Sequence, residues 1–483
     1  MRLARFAWVT ALLAASAGCD TGRSREQPAC AALARPFDPT RDADYAAYAA
    51  SVARTRCPKP WTVLIYMAAD VEDLPAQAFA DLREMEDALV RGGVAAASSE
   101  RADVIVQLDL PGPPGLRRYH LFSRTGAVEP VAVVPSSPEV ASLPEAEGGP
   151  PEQALAEFVA WGRAQYPSDR VMVVLWGHGQ GWRPRTETGE RVRYVEGGFV
   201  GGFGFDHSQG TVMDVPAVAA ALRGSGDTPI DVLVTDACLM QSVDVAGTLA
   251  TAARNLVGHE QIDPYAGLPY DRVIPLVNGQ RPPPPHPACR TDDEACRVAV
   301  SLPPLLLAPG GATEETFVAS AAAADALSGE LLPALARLST ALVAFLDEDR
   351  MRSIDVLARL ASRSPGEAIP GFAGNTVDLG VLLVRLRQEA QEEALRCASP
   401  CPGVTGLLAA LDDSERALDA VVLTVAVGPA YAEDDAYAWT SGPLGLSVWL
   451  PPHAEVLAAR RAAFASSPAS GWLPWLDRLH AAP

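Results

Sequence analysis

Apolar, β-branched runs alternate along the chain with segments of helical periodicity. Short runs of this kind, bounded by turn residues, are typical of strands buried in a parallel sheet. The predicted strands are residues 61–67, 103–108, 119–122, 131–134, 171–176 and 230–235. The predicted helices are residues 76–89, 151–166 and 215–222. Strands that alternate with helices indicate βαβ units, so we predict an α/β fold with a mainly parallel sheet flanked by helices.

The character of the chain changes after residue 274. Residues 275–312 are Pro-rich and predict an irregular insertion, whereas residues 313–396 are rich in Ala and Leu and predict helices. Residues 420–427 and 444–450 return to strand composition. Residues 183–210, rich in Gly, Arg and Glu, predict a long exposed loop, the kind that carries function or is cut by proteases.

The first residues predict export. Arg2 and Arg5 precede an apolar stretch that is too short for a stable transmembrane helix. The stretch ends in Ser16-Ala-Gly-Cys19, which resembles a bacterial lipobox with Ser16 where leucine is usual. Two interpretations stay open, lipidation of Cys19 after cleavage or ordinary secretory cleavage nearby. We take the first, a membrane-anchored lipoprotein of the bacterial cell envelope.

Size and charge narrow the function classes. With 483 residues, 48% of them apolar, the chain can bury a large core and form two domains. Its net charge of −20 argues against nucleic-acid binding, which needs a basic surface.

The cysteines divide into local pairs with one left over. Of the eight cysteines, Cys19 belongs to the lipobox, which leaves an odd number in an oxidising compartment. The simplest partition, which spacing alone does not fix, pairs Cys30 with Cys57, Cys289 with Cys296 and Cys397 with Cys401. Cys238 remains as a thiol that is either reactive or buried and inert.

Two predicted strands end at side chains capable of catalysis. Residues 171–176 run into Gly177-His178-Gly179, and residues 230–235 run into Asp236-Ala-Cys238. Because ligands gather beyond the carboxyl ends of strands in an open α/β sheet, we expect His178 and Cys238 at one edge. A thiol and an imidazole there suffice for nucleophilic attack on a carbonyl.

The residues around this pair suggest how it would work. A helix predicted to begin just after Cys238 would favour its thiolate, and the backbone amides of Gly179 and Cys238 would form an oxyanion site. The alternatives without catalysis are that Cys238 is a small buried core residue and that His178 is a turn histidine hydrogen-bonded to the backbone. Asp236 is either a helix cap or the anionic floor of a pocket for a cationic side chain.

Five segments together resemble the clostripain family of cysteine peptidases, relatives of caspases, gingipains and legumains. They are Trp61-Thr-Val-Leu-Ile-Tyr-Met-Ala-Ala-Asp70, Leu175-Trp-Gly-His-Gly-Gln-Gly-Trp182, Asp236-Ala-Cys-Leu-Met240, Val377-Asp-Leu379 and Gly445-Leu-Ser-Val-Trp-Leu-Pro451. The resemblance implies a caspase-like sheet, with Cys238 as nucleophile and His178 as general acid/base. It also implies that Asp236 contributes to a pocket for Arg or Lys immediately before the cleaved bond.

Further properties of the family are expectations for this chain. The chemistry requires no cofactor, although some relatives depend on calcium, and the metal ligands here stay unknown. Some relatives cut themselves between the histidine and the cysteine, where this chain offers Arg183, Arg185, Arg191 and Arg193. The chain departs from the family pattern at residues 71–73, usually Asn-rich, and at residues 259 and 264.

The resulting prediction is an exported cysteine endopeptidase that cleaves after Arg or Lys through a thioester acyl-enzyme. We expect a signal peptide (1–19), a tether (20–60), a caspase-like catalytic domain (61–274), a Pro-rich disulfide-containing insertion (275–312) and a helical C-terminal region with late strands (313–483). The alternatives are an inactive surface-anchored binding protein on the same fold and a transpeptidase using the same dyad. The expected partners are peptide substrates and, through the lipid anchor, a membrane.

Overall fold

The computed structural model describes residues 58–86, 97–112, 115–122, 137, 139–143, 151–182, 192–193, 201–264, 266–308, 317–348, 371–372, 375–396, 401–429 and 444–481. The predicted signal peptide, residues 20–57 of the predicted tether and Val131–Val134 lie outside these residues. The last residues of the predicted tether, from Lys59, belong to β1.

The core of the protein is a nine-stranded mixed sheet with the strand order β14-β11-β10-β9-β5-β1-β2-β3-β4. Its central strands β10, β9, β5, β1 and β2 run parallel, and antiparallel strands complete both edges. The nine strands are β1 (Lys59–Ala68), β2 (Ala102–Asp109), β3 (Leu116–His120), β4 (Glu139–Leu143), β5 (Ser168–Gly177), β9 (Ile230–Asp236), β10 (Ala253–His259), β11 (Val318–Ala323) and β14 (Val422–Val427). Two three-stranded sheets hold β6 (Val192–Arg193), β7 (Phe203–Asp206) and β8 (Thr211–Met213), and β12 (Gly371–Phe372), β13 (Thr376–Asp378) and β15 (Ser447–Trp449).

Helices cover both faces of the large sheet and form two apolar layers. One layer includes Leu64, Phe158 and Leu338, and the other includes Ile65, Leu82 and Leu302. Because neighbouring residues of a strand point to opposite faces, Leu64 and Ile65 enter different layers. The helices are α1 (Pro75–Glu86), α2 (Pro151–Gln165), α3 (Val215–Gly224), α4 (Val243–Leu249), α5 (Tyr270–Val277), α6 (Glu294–Leu305), α7 (Ala324–Ala326), α8 (Leu332–Glu348), α9 (Leu379–Arg396), α10 (Pro402–Val421), α11 (Ala454–Phe464) and α12 (Leu473–Leu479). A π-helical turn, Leu327–Leu331, joins α7 to α8, and a 3₁₀ turn, Ser470–Trp472, precedes α12.

The predicted fold class is confirmed, and three local expectations need correction or extension. Residues 201–206, predicted within an exposed loop, are buried, and β7 lies among them. Helix α6 forms within the Pro-rich stretch predicted to be irregular. Two strands from the predicted C-terminal region, β11 and β14, extend the large sheet. Within the described ranges, one continuous helical stretch, Ala324–Asp347, is long and apolar enough to cross a membrane, and it contributes Leu338 to the core.

Helix α4 carries a buried carboxyl that makes stability depend on pH. The Ser467 hydroxyl donates a hydrogen bond to Asp244, and burial raises the pKa of Asp244 to about 6. A raised carboxyl pKa means that the contribution to stability is complete below the unfolded pKa near 4 and is lost as pH rises through 6.

We therefore expect Asp244→Asn to gain stability relative to wild type as pH rises. The difference in the free energy of unfolding should grow by roughly 2 kcal/mol between pH 4 and pH 7, because the amide never ionises. Urea unfolding at several pH values measures this difference. Asp325→Asn, on the exposed surface, is the control and should follow wild type. If the free energies of unfolding of Asp244→Asn and wild type change in parallel with pH, the raised pKa of Asp244 is contradicted.

Candidate active site

Four neighbouring strands, β10, β9, β5 and β1, bring chemically capable side chains to one edge of the sheet. Asp73 follows β1, His178 follows β5, Cys238 follows β9, and residues 259–263 lie at and beyond the end of β10. Strands β1 and β5 flank the point where the chain changes direction across the sheet, which is where α/β proteins place their ligands.

The strand register brings the segments of His178 and Cys238 together. Trp176 of β5 pairs with Asp236 of β9, so His178 and Cys238 each stand two residues beyond a paired position. Gly179 packs tightly against the cysteine segment, because a Cβ atom at this position would lie 2.4 Å from the Cys238 carbonyl oxygen. The small residue after the histidine is therefore required for this close approach.

The chain turns sharply after Cys238 instead of entering a helix there. Leu239 adopts a φ of 62°, unusual for a branched residue, and its N–H donates to the Gln261 carbonyl at 2.9 Å. Helix α4 begins only at Val243 with Ser242 as its N-cap. The expectation that a helix N-terminus favours the Cys238 thiolate was therefore wrong.

The local electrostatics favour the neutral thiol. Burial raises the pKa of Cys238 to about 11, and the carboxylates of Asp263 and Asp236 add to the rise. The Asp263 N–H partly offsets this by donating to Cys238 Sγ at 3.2 Å. Deprotonation of Cys238 at neutral pH therefore requires a base or a neutralising cation close to these carboxylates.

His178 has an acidic partner that the sequence did not single out. Its Nε2 lies 3.0 Å and 3.2 Å from the two carboxylate oxygens of Asp73. Both side chains reach solvent, with exposed fractions of 41% for His178 and 64% for Asp73. Asp73 thus orients the imidazole, but solvent weakens the contact.

The amides predicted for the oxyanion site are available. Among the described residues, neither the Gly179 N–H nor the Cys238 N–H donates a hydrogen bond to another residue. Both belong to the two segments held in contact by Gly179, and unpaired amides of this kind can stabilise a developing oxyanion.

Asp236 is buried in a cluster of carboxyls next to Cys238, which we call the acidic pocket. It is 2% exposed and accepts hydrogen bonds from the Tyr270 hydroxyl at 2.7 Å and the Leu268 N–H at 3.2 Å. Burial and the nearby Asp263 raise the pKa of Asp236 well above its usual value. Gly267 packs against this carboxyl, because a Cβ atom at Gly267 would lie 3.4 Å from Asp236 Oδ2.

A third carboxyl extends this acidic environment. Asp81 of α1 accepts a hydrogen bond from the Trp176 indole at 2.8 Å, and it acts electrostatically on Asp236. Burial and Glu84 raise the pKa of Asp81 well above its usual value. Buried carboxyls whose ionised forms lack a cation favour a positively charged ligand.

The group of described side chains that could hold a metal does not suit a calcium ion. Among them, one group of at least three His, Cys, Asp or Glu side chains could hold a metal: Asp236, His259 and Asp263. Calcium takes six to eight oxygen ligands, whereas this group offers two carboxylates and an imidazole.

Some of the remaining predicted residues are described by the structure, and the others lie outside the described ranges. Cys289 and Cys296 form the predicted disulfide, and Cys238 is a free thiol, as the odd cysteine count suggested. Cys401 is disulfide-bonded. Arg193 belongs to β6. The others lie outside the described residues: Cys19, Cys30, Cys57, Cys397, Arg183, Arg185 and Arg191.

Sequence reasoning missed Asp73, Asp81 and Asp263. Asp73 had a signal, since it follows a strand end in a segment that departs from the family pattern. Asp81 had none, because an acidic residue in an amphipathic helix is normally solvated. Asp263 lies between residues 259 and 264, where the chain departs from the family pattern, but its contact with Cys238 depends on the tertiary fold.

Comparisons with known proteins agree with this architecture. Residues 65–282 match the sequence model of the clostripain family, Peptidase C11. The inactive zymogen of a C11 protease from Parabacteroides distasonis has a similar structure, with 17% identity, coverage of 88% of this chain and 99% of that chain, and a TM-score of 0.53. A secreted C11 cysteine protease from Bacteroides thetaiotaomicron, in complex with an irreversible peptide inhibitor, covers 87% and 99% at 18% identity with a TM-score of 0.52. No curated protein matches the chain.

Proposed function

From the match of residues 65–282 to the clostripain family of cysteine peptidases, we propose that the chain is a member of that family and an exported endopeptidase that cleaves after Arg or Lys. The observation that carries the specificity is the pair of carboxyls, Asp236 and Asp263, beside the Cys238 thiol. A guanidinium or ammonium group between them would relieve their mutual repulsion, whereas a neutral side chain would not.

In the proposed reaction, Cys238 is the nucleophile and His178 the general acid/base. His178 accepts the thiol proton, directly or through water, as the sulfur attacks the carbonyl carbon. The amides of Gly179 and Cys238 stabilise the resulting oxyanion. Collapse of the tetrahedral intermediate releases the amine, which takes the proton from His178, and leaves a thioester on Cys238. Water then attacks the thioester with His178 as base and regenerates the thiol.

The substrate cation has a second role in this scheme. Since Asp263 and Asp236 raise the pKa of Cys238, a cation bound between them lowers it. The correct substrate therefore both fills the pocket and promotes formation of the attacking thiolate. No cofactor enters any of these steps.

A set of fluorogenic peptides that differ only in the residue before the cleaved bond tests the proposal. Arg and Lys peptides should be cleaved, and matched Leu and Glu peptides should not. Assays with and without a chelator test the calcium expectation for the same substrates. Equal cleavage of Arg and Leu peptides would contradict the role of the acidic pocket.

We expect Asp73→Asn to lower kcat by about 5-fold with little change in KM. The exposed contact with His178 is worth at most about 1 kcal/mol, and it acts on the orientation of the imidazole rather than on substrate binding. Glu72→Gln, next to it and also exposed, is the matched control. Steady-state kinetics separate the two constants, and a change confined to KM would argue against a positioning role.

Self-cleavage between His178 and Cys238 is part of the proposal. The motivating observation is four arginines, Arg183, Arg185, Arg191 and Arg193, in one segment between the two residues. Mass spectrometry of the active protein should find termini after one of these arginines, and the Cys238→Ala chain should remain intact. An active chain that is fully intact would refute self-cleavage without affecting the proposed peptidase activity.

Export and anchoring through Cys19 complete the proposal. The support is the basic and apolar N-terminal stretch that ends in a lipobox-like sequence. Metabolic labelling with a fatty acid should label the wild-type chain but not Cys19→Ala, and secretion of an unlabelled protein would favour ordinary signal cleavage.

A further inference from the structure

We propose that Asp236, His259 and Asp263 form a binding site for a zinc ion, completed by the Cys238 sulfur. The ion would occupy the acidic pocket and block the thiol, which makes it a reversible inhibitor. The inhibitory consequence rests on the proposed function, whereas the binding itself does not.

The three ligands lie close together, and polar atoms of two of them, His259 Nδ1 and Asp263 Oδ1, lack hydrogen-bond partners among the described residues. One ligand atom from each of Asp236, His259 and Asp263 lies within 4.8 Å of the others. His259 Nε2 is 2.9 Å from Asp263 Oδ1, yet this buried oxygen has no hydrogen-bond partner among the described residues. Buried polar atoms that lack partners are costly, and a shared cation would satisfy them.

The separations among Asp236, His259 and Asp263 suit a tetrahedral ion after a small adjustment. Two ligand atoms at about 2.0 Å from zinc in a tetrahedral site stand about 3.3 Å apart. The 2.9 Å between His259 Nε2 and Asp263 Oδ1 needs a slight opening. Cys238 Sγ is not part of the group of ligand atoms within 4.8 Å of one another, so it would have to move toward the ion to become the fourth ligand. The Asp263 N–H already holds it beside the group, at 3.2 Å.

The donor set selects zinc over calcium or magnesium. Imidazole, thiolate and carboxylate are the usual zinc ligands, whereas calcium and magnesium prefer oxygen donors alone. On binding, Cys238 would coordinate as a thiolate, with its proton released to solvent.

Surrounding groups hold the ligands in position. The Tyr270 hydroxyl and the Leu268 N–H donate to the two oxygens of Asp236. The backbone carbonyl of His259 accepts from the Gln241 N–H at 3.0 Å, and its ring packs edge-on against Phe317. Partners of this kind orient ligands and strengthen metal binding.

The same residues would otherwise receive the substrate cation. Zinc and an Arg or Lys side chain would therefore compete for Asp236 and Asp263, and zinc would also occupy the lone pair with which Cys238 attacks. Residue 259 is among the positions at which the chain departs from the family pattern, so this site is a property of the chain's own sequence.

Titration calorimetry of the purified full chain with zinc chloride tests the site directly. We expect one zinc ion to bind the wild type, and His259→Ala and Asp263→Asn each to weaken binding by about tenfold or more. His453→Ala removes an exposed histidine elsewhere and should bind as wild type does. With cobalt(II) as the probe, a sulfur-to-metal charge-transfer band should appear and should vanish in Cys238→Ala.

The outcomes distinguish failure of the zinc site from failure of the proposed peptidase activity. Zinc binding that is unchanged in both His259→Ala and Asp263→Asn would overturn the site, because it would have to reside elsewhere. Binding in the absence of peptidase activity would support the site and contradict the proposed function. In an active enzyme, inhibition by zinc should weaken as agmatine, an arginine-like cation, is added, and inhibition insensitive to agmatine would overturn the competition.

Discussion

Replacing Cys238 by alanine is expected to lower kcat/KM for cleavage after arginine by about 10⁵-fold or more. The substitution removes the only protein atom that forms a covalent bond with the substrate in the proposed reaction, and losses of this size are typical when a catalytic nucleophile is deleted. Steady-state hydrolysis of an arginyl fluorogenic peptide measures the effect.

A folding control must accompany this result. The side chain removed is small, so the melting temperature of Cys238→Ala should stay within a few degrees of wild type, measured with the Cys289–Cys296 disulfide intact. Residual activity close to wild type in a folded Cys238→Ala chain would exclude this thiol as the nucleophile.

Asp236→Asn is expected to lower kcat/KM for Arg peptides by about 100- to 1,000-fold. The amide keeps the size and the hydrogen bond from Tyr270 but cannot pair with a guanidinium, and the loss of one partner from a buried charge pair typically costs 2–5 kcal/mol. Cleavage of peptides with neutral residues before the bond, however slow, should change far less.

The other end of the same strand provides the matched control. Asp231 of β9 accepts a hydrogen bond from the Val171 N–H at 2.9 Å, away from the site edge of the sheet. Asp231→Asn should therefore leave the ratio of Arg to neutral cleavage unchanged. If Asp236→Asn preserves the Arg preference, Asp236 does not belong to the pocket.

The strands that position the site were predictable because their signal is local. Apolar runs ending at His178 and Asp236 correspond to β5 and β9, which are hydrogen-bonded neighbours in the large sheet. Their burial on both faces of a parallel sheet produces continuous apolar runs that sequence periodicity detects. The residues at the carboxyl ends could then be placed at one edge without knowledge of the whole fold.

Features that depend on tertiary contacts were not predictable. The turn at Leu239 is stabilised by a hydrogen bond to Gln261, which follows a different strand. No local sequence pattern therefore predicts that α4 starts only at Val243. The raised pKa of Cys238 likewise depends on burial and on Asp263, distant in sequence. The prediction of a thiolate favoured by a helix was wrong for this reason.

The acidic pocket was predictable only in part. Asp236 was identifiable because it shares a strand end with Cys238, whereas Asp81 belongs to a helix from an earlier part of the chain. The convergence of Asp81, Asp236 and Asp263 arises from the packing of α1 and the segment after β10 around β9. Such convergence leaves no periodic trace in the sequence.

Mapping the site of a covalent label tests the central claim most directly. A peptidyl-arginine probe with a thiol-reactive ketone should modify the purified chain once, and tandem mass spectrometry should locate the adduct on Cys238. The same probe with norleucine in place of arginine should react much more slowly. Labelling at another residue, or equal rates for the two probes, would contradict an arginine-directed nucleophile at Cys238.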